Sequence, residues 1–431
     1  MHLDVLDLIT LLVIMAAFFL LINVRYIKLP STIGLMILAL CLSLFVILGE
    51  YVFSTLNSLA HSIMSDYQFS DVLFKVMLSF LLFAGALEVD LRKLGEEKWP
   101  ILILATVGVL ISTFVVATVM YYLLPLVGIN LEYIYCLLFG ALISPTDPIS
   151  VLAMVKKTKV SKNLEMQIAG ESLFNDGIGV VVFLTILHVA NVGVEHFQPG
   201  NAILLFGQEV IGGIVLGLVI GFVGFKLLDI IDNKHTEIEV LVTLSMVMGG
   251  ATVAESLHVS GPLAMVTMGI IVGREGRSEE LANVTGEYVY KFWHLIDEAL
   301  NAILFILIGL QIIVISWKLD FFLAAGIAIV IVLVARFIGV GLPISVMRIF
   351  KRIPKLTVRI LTWSGLRGGI SVALALSLYD LAGDKVENHY LDLIIAMTYS
   401  VVLFSIIVQG LTVTKLFKKF DDKKYWRKKR K

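Results

Sequence analysis

The sequence predicts an all-α polytopic membrane protein of about thirteen transmembrane helices. Three observations predict it. The 431 residues are 58% hydrophobic and only 16% charged, where soluble domains carry about 25% charged residues; mean hydropathy is +0.95. Apolar stretches recur that reach the ~20 helical residues needed to cross a hydrocarbon core. Basic residues collect in alternate loops between those stretches. A membrane β-barrel would read instead as alternating segments of about 10 residues.

In chain order, spans are expected near 8–24, 31–48, 70–90, 99–124, 133–155, 165–189, 202–226, 237–256, 261–273, 291–315, 321–347, 358–379 and 390–414. The first, Leu8 to Val24, lacks a basic leader and a small-residue cleavage site, so it reads as a retained span. Residues 49–69 are amphipathic and read as surface segment. The third span ends on Glu88 and Asp90, the fifth is broken by SPTDP, and the sixth carries two acids. The ninth is short, the eleventh holds Arg336, and the twelfth is rich in glycine around Arg367. Cys41 and Cys136 both fall in apolar runs, which argues against a structural disulfide.

Charge tests the count. With thirteen spans, 29 of the 34 Lys and Arg residues fall on one side, counting ten after residue 414. Lys75, Lys318 and Lys385 fall on the other, and Arg336 and Arg367 lie inside spans. The positive-inside rule then sets the N-terminus outside and the C-terminus in the cytoplasm of a cell (inner) membrane protein. The segment 415–431 is a short basic tail, read as a topology anchor at an anionic leaflet. Membrane lipid is the expected partner, with no nucleic acid.

An ionisable side chain inside a span costs a few kcal/mol even on lenient insertion scales, so those present are functional candidates. They are Asp147, Glu171, Asp176, Arg336 and Arg367. In ISPTDPIS, Pro145 and Pro148 each remove a backbone donor and clash with the preceding turn, which predicts a broken helix. Asp147 before Pro148 also reads as an N-cap for the half-helix that follows. A purely structural capping role and a cation site built from the carboxylate and freed carbonyls both remain open, and they are compatible.

The sixth span reads GESLFNDGIGVVVF. Glu171 and Asp176 are five apart and point about 140° from each other on a straight helix, so they do not share one ligand. Ser172 and Asp176 are four apart and share a face, which suits one small cation. Arg336 has no charged neighbour in its own span, and Glu171 is its natural partner. Such a pair would position helices without touching substrate. In the twelfth span, Gly365, Gly368 and Gly369 form a second weak point. Spans 5 and 12 are the middle members of two triplets that run in opposite directions. Interrupted helices at matching places in two halves point to an inverted-repeat transporter site.

The stretches SPTDPISVLA (144–153), GESLFNDGIGVVVF (170–183), FWHLIDEALNAILFILIGL (292–310), ARFIGV (335–340) and GLRGGISVALAL (365–376) together resemble the cation/proton antiporter-1 family of sodium/proton exchangers, bacterial branch. The resemblance implies an inverted-repeat fold with two unwound, crossing helices. It implies a six-helix core from spans within 99–189 and 321–414. A dimerisation scaffold would come from 8–90 and 202–315, within an exchanger domain over 1–414. It implies that Asp176 binds either Na⁺ or a proton and that Asp147, Ser172 and Thr146 help coordinate the ion. Asn175 before Asp176 goes in this family with electroneutral one-for-one exchange. Glu171 would pair with Arg336, and Arg367 would steady the crossover. Glu88 would be a further acidic ligand, and the protein would be a homodimer. No cofactor is implied.

The chemistry is competition for one site, which is either protonated or ionised with a cation bound. If only these neutralised forms change faces, strict exchange follows. Oxygen ligands suit a hard cation and leave Na⁺, Li⁺ and K⁺ as candidates. The runner-up is a sodium-coupled organic-solute carrier of related architecture. An intramembrane aspartyl protease built on Asp147 and Asp176 fits poorly, because the contexts are Thr-Asp-Pro and Asn-Asp-Gly. His61, His188, His258 and His294 lack metal-ligand spacing and read as packing or interfacial residues.

Overall fold

A computed structural model describes residues 5–48, 76–148, 151–152, 155, 162–193, 199–230, 235–273, 284–313, 315, 318–350, 353–381 and 388–420. The amphipathic stretch 49–69 and the end of the basic tail lie outside them. The described chain is helical. Among its residues nine helices are long and apolar enough to cross a membrane, and Leu78–Leu87, Tyr133–Ile143 and Gly261–Gly273 are shorter apolar helices. The only bridge between extended residues found among them is a single isolated one.

The chain divides into two compact units. Unit 1 comprises Met1–Asp90, His196–Ser316 and Ala373–Lys385. It holds α1 (Val5–Ile22), α2 (Ser31–Leu48), α3 (Leu78–Leu87), α8 (Pro199–Ile230), α9 (Thr236–Ser256), α10 (Gly261–Gly273) and α11 (Val284–Leu310). Lipid tails supply no hydrophobic drive between helices, so close backbone approach through small residues replaces it. Along α8, Gly213 and Gly217 repeat every four residues and face α10. A Cβ on either would stand 2.5 Å from a carbonyl oxygen, of Ser260 and Ala264 respectively. Trp293 of α11 is fully buried between Phe80 and Phe83, and its indole N–H donates to Thr243 Oγ1 at 3.0 Å.

Unit 2 comprises Leu91–Glu195, Trp317–Val372 and Val386–Lys431. It holds α4 (Leu91–Ile103), α5 (Val109–Leu123), α6 (Tyr133–Ile143), α7 (Lys162–Val192), α12 (Leu319–Met347), α13 (Lys355–Ser364), α16 (Asn388–Phe404) and α17 (Gly410–Phe420). The boundary between units falls within α14 (Gly369–Leu376), and α15 (Leu378–Leu381) follows it. The helix expected from residue 99 begins at Leu91. Its first turns are polar, and they are anchored by Glu97, which is buried and accepts from Asn163 Nδ2 at 3.0 Å and Gln167 Nε2 at 2.8 Å of α7.

Two π-helical turns interrupt unit 2, at Leu104–Gly108 between α4 and α5 and at Ser405–Gln409 between α16 and α17. Such turns are frequent at functional sites because one extra residue re-aims the side chains around it. The second of them reaches the candidate site.

Candidate functional site

The site is built from two places where helix stops inside unit 2. The first is Ser144–Pro148. Helix α6 is apolar and continuous to Ile143, and Pro145 then supplies no N–H to continue it. The second is Gly365–Gly368, between α13 and α14. Gly365 has φ −72° and ψ 74°, and Leu366 N–H donates back to Ser364 O at 2.8 Å. That is an inverse γ-turn. The glycine is required by crowding rather than by its dihedrals, since a Cβ there would lie 2.5 Å from Arg336 Nε.

The two breaks meet. Asp147 N–H donates to Leu366 O at 2.8 Å in an isolated antiparallel bridge. Gly368 sits against Asp147, where a Cβ would come within 2.3 Å of the aspartate's own Cβ. Backbone groups that leave a helix at membrane depth need new partners, because no water is at hand to satisfy them. The bridge supplies one, and Arg367 supplies more. Its Nη1 donates to Ser144 O and to Pro145 O, the latter at 2.9 Å. Its own backbone N–H donates to Ser405 Oγ at 2.9 Å, and that hydroxyl donates to Gln409 Oε1 at 2.6 Å. Arg367 is 2% exposed.

Helix α7 closes the other side of the first break. Asn175 Oδ1 accepts from Thr146 N–H at 3.2 Å, and Asn175 Nδ2 donates to Thr146 Oγ1 at 2.8 Å. Thr146 Oγ1 also lies 3.2 Å from Ser172 Oγ. Asp176, next in sequence to this clasp, is buried and within electrostatic reach of the half-buried Asp147. The structure thus brings together Asp147, Thr146, Ser172, Asn175 and Asp176 around the SPTDP break. On the far face of α7, Glu171 Oε1 lies 2.5 Å from Arg336 Nη1 of α12, with both side chains buried. Arg336 Nη2 donates in addition to Leu361 O at 3.3 Å.

Glu88 is half-buried at the C-cap of α3 and belongs to unit 1, not to the unit that holds these residues. The residues that an Asp147 cap would serve, 149–150, lie outside the described ones. Sequence reasoning missed Ser405 and Gln409. A Ser and a Gln four apart in an apolar final span were the available signal.

The pattern of the family described as "Sodium/hydrogen exchanger, transmembrane" matches residues 13–419, nearly the whole chain and both breaks. The chain belongs to this family. Within it, the chain is 47% identical over 419 residues to the Na⁺/H⁺ antiporter NhaP of Pseudomonas aeruginosa, covering 96% of each. It is 33% identical over 403 residues to the Na⁺/H⁺ antiporter NhaH of Halobacillus dabanensis, covering 92% of this chain and 93% of that one. Among solved structures, the sodium proton antiporter MjNhaP1 of Methanocaldococcus jannaschii shares the fold. The TM-score is 0.77 at 20% identity, over 97% of this chain and 98% of the other. This exchanger-family chain is a multi-pass membrane protein.

Proposed function

We propose that this chain exchanges sodium, or another small monovalent cation, for protons across a cell membrane. Asp176 is the group for which the two ions compete. The observation that carries this reading is the placement of one buried carboxylate beside a helix break lined by oxygen atoms. Asp147, Ser172 and Thr146 offer further hard ligands around it. The relatives reported above, named as Na⁺/H⁺ antiporters, support the same reading.

Position 175 is a neutral amide already clasped to Thr146. Helix α7 therefore offers one titratable group to the cation at this face, which favours electroneutral one-for-one exchange. The Glu171–Arg336 pair is charge-balanced and architectural. Arg367 holds the two breaks together by donating to carbonyls that would otherwise be unsatisfied.

The finer architecture follows. Taking 133–152 and 355–376 each as one interrupted span, we read thirteen spans, with the N-terminus outside and the basic tail in the cytoplasm. The helices of unit 2 form two inverted triplets whose broken members cross at the Asp147–Leu366 bridge. The spans within 99–189 and 321–414 are the mobile core, and those within 8–90 and 202–315 are the scaffold of a homodimer. Alternating access is movement of that core as a rigid body. Inward- and outward-facing structures without core displacement would contradict it.

The test is proton movement in proteoliposomes holding a pH gradient, after addition of Na⁺, Li⁺ or K⁺, with and without a potassium/valinomycin clamp. Wild type should dissipate the gradient on cation addition regardless of the clamp, and Asp176→Asn should not. A well-folded protein with no response to any cation would sink the antiport reading and move a sodium-coupled organic-solute carrier ahead of it.

A further inference from the structure

Unit 2 also holds a small cavity lined by Arg336, Thr362, Arg367 and Gln409, with Val332 and Phe404 among its apolar walls. It has room for about one water-sized species. Two of its lining atoms, Arg336 Nε and Thr362 Oγ1, are buried and have no hydrogen-bond partner among the described residues. Arg336 is 4% exposed and Thr362 9%. Native proteins rarely leave such atoms unsatisfied, because each costs its full desolvation.

We propose that this cavity is a binding site for one small monovalent anion of the halide class, chloride in the cell. Three features favour an anion over a water molecule. First, the polar lining is rich in donors. Arg336 Nε and the Arg367 guanidinium only donate, the Thr362 hydroxyl is free to donate, and the Gln409 carbonyl already accepts from Ser405. A water there would find acceptors only in the Thr362 hydroxyl and the second lone pair of the Gln409 carbonyl, whereas the donors outnumber them. An anion has no hydrogens to satisfy.

Second, the charges do not balance locally. Arg367 is close enough to Arg336 to be repelled and to Glu171 to be attracted. Glu171 is already engaged by Arg336, and the acceptors holding Arg367 Nη1 are neutral carbonyls. Of the charges acting on Arg367, Glu171 attracts it and Arg336 repels it, in a buried interior where poorly balanced charge is costly. Third, Arg336 spends Nη1 on Glu171 and Nη2 on Leu361 O, which leaves Nε for the cavity. The anion would hold both arginines in place from behind and so stiffen the joint between the two helix breaks. It is not transported, and the inference stands apart from the antiport reading.

The test is thermal unfolding of the purified full-length protein in detergent, with choline as the only added cation. Choline gluconate is exchanged stepwise for choline chloride or choline bromide, in wild type and in Thr362→Val. The wild type should gain a saturable rise in Tm with either halide and none with gluconate. Thr362→Val, close to isosteric, should need about tenfold more halide for half the effect, as expected for one lost hydrogen bond to a charge. Crystals of the wild type grown in bromide should carry an anomalous peak in the cavity. Superimposable halide and gluconate curves would overturn the proposal, as would equal halide responses in wild type and variant. So would cavity density without an anomalous signal, which identifies a water.

Discussion

Removing the carboxylate of Glu171 should be among the most damaging single changes in the protein. Both partners of its pair are buried, at 1% and 4% exposure, and the closest approach is 2.5 Å. With charge centres about 4 Å apart and an effective dielectric near 20, the attraction is roughly 4 kcal/mol. Losing one member also strands the other in a poor solvent, and such losses typically run to about 3–5 kcal/mol. Arg367 makes the stranding worse, since it repels Arg336. Glu171→Ala should therefore cost about 3–5 kcal/mol of stability, about 150- to 5,000-fold in the folded-to-unfolded ratio. Denaturant unfolding of the detergent-solubilised protein reads this. Replacing both residues with apolar ones, Glu171→Leu with Arg336→Met, should recover most of the loss, because no buried charge of that pair remains. The double-mutant cycle isolates the coupling. The reasoning fails if Glu171→Ala costs no more than a surface substitution, about 0.5 kcal/mol, or if the double variant loses the sum of the two singles.

Two further outcomes follow from the joint between the breaks. Arg367→Lys keeps the charge but loses the planar guanidinium whose Nη1 donates to both Ser144 O and Pro145 O. It should slow cation-driven proton flux at least tenfold while costing about 1–3 kcal/mol of stability, read by proteoliposome assay and unfolding together; unchanged flux would remove the joint from the account. Gly365→Ala places a methyl group 2.5 Å from Arg336 Nε, so it should cost about 1–3 kcal/mol by overpacking. The same substitution at Gly326, which has open space around it, should be tolerated, and equal losses at the two positions would contradict the crowding argument.

The parts of the fold legible in the sequence were those with a large local free-energy signature. Apolar length and loop charge marked the spans, because lipid and translocation read those quantities directly. Pro145, Pro148 and the glycines at 365–369 marked the places where helix fails. Glu171 and Arg336 could be paired across 165 positions because a lone buried arginine is too costly to leave alone. What escaped was the tertiary detail that costs little in any one residue. Ser405 and Gln409 carry small insertion penalties and sit in an apolar span, yet Ser405, which donates on to Gln409, satisfies the backbone N–H of Arg367. The bridge from Asp147 to Leu366 is a backbone contact, and no side-chain pattern encodes it. Glu97 falls just before the span expected from residue 99, between the charged Glu96 and Lys98, but α4 carries it into a buried contact with Asn163 and Gln167. Hydropathy ranks segments by their mean and does not say which face of a polar turn is buried.

The claim at the centre is that sodium and a proton exclude each other at Asp176. Equilibrium binding of radioactive sodium to the purified protein, measured across a pH series, addresses it most directly. If each bound sodium displaces one proton, the apparent Kd should weaken by about tenfold for each unit of pH lowered once the site is protonated, and Asp176→Asn should abolish saturable binding at every pH. A sodium affinity that does not change with pH, or that survives in Asp176→Asn, would contradict the account.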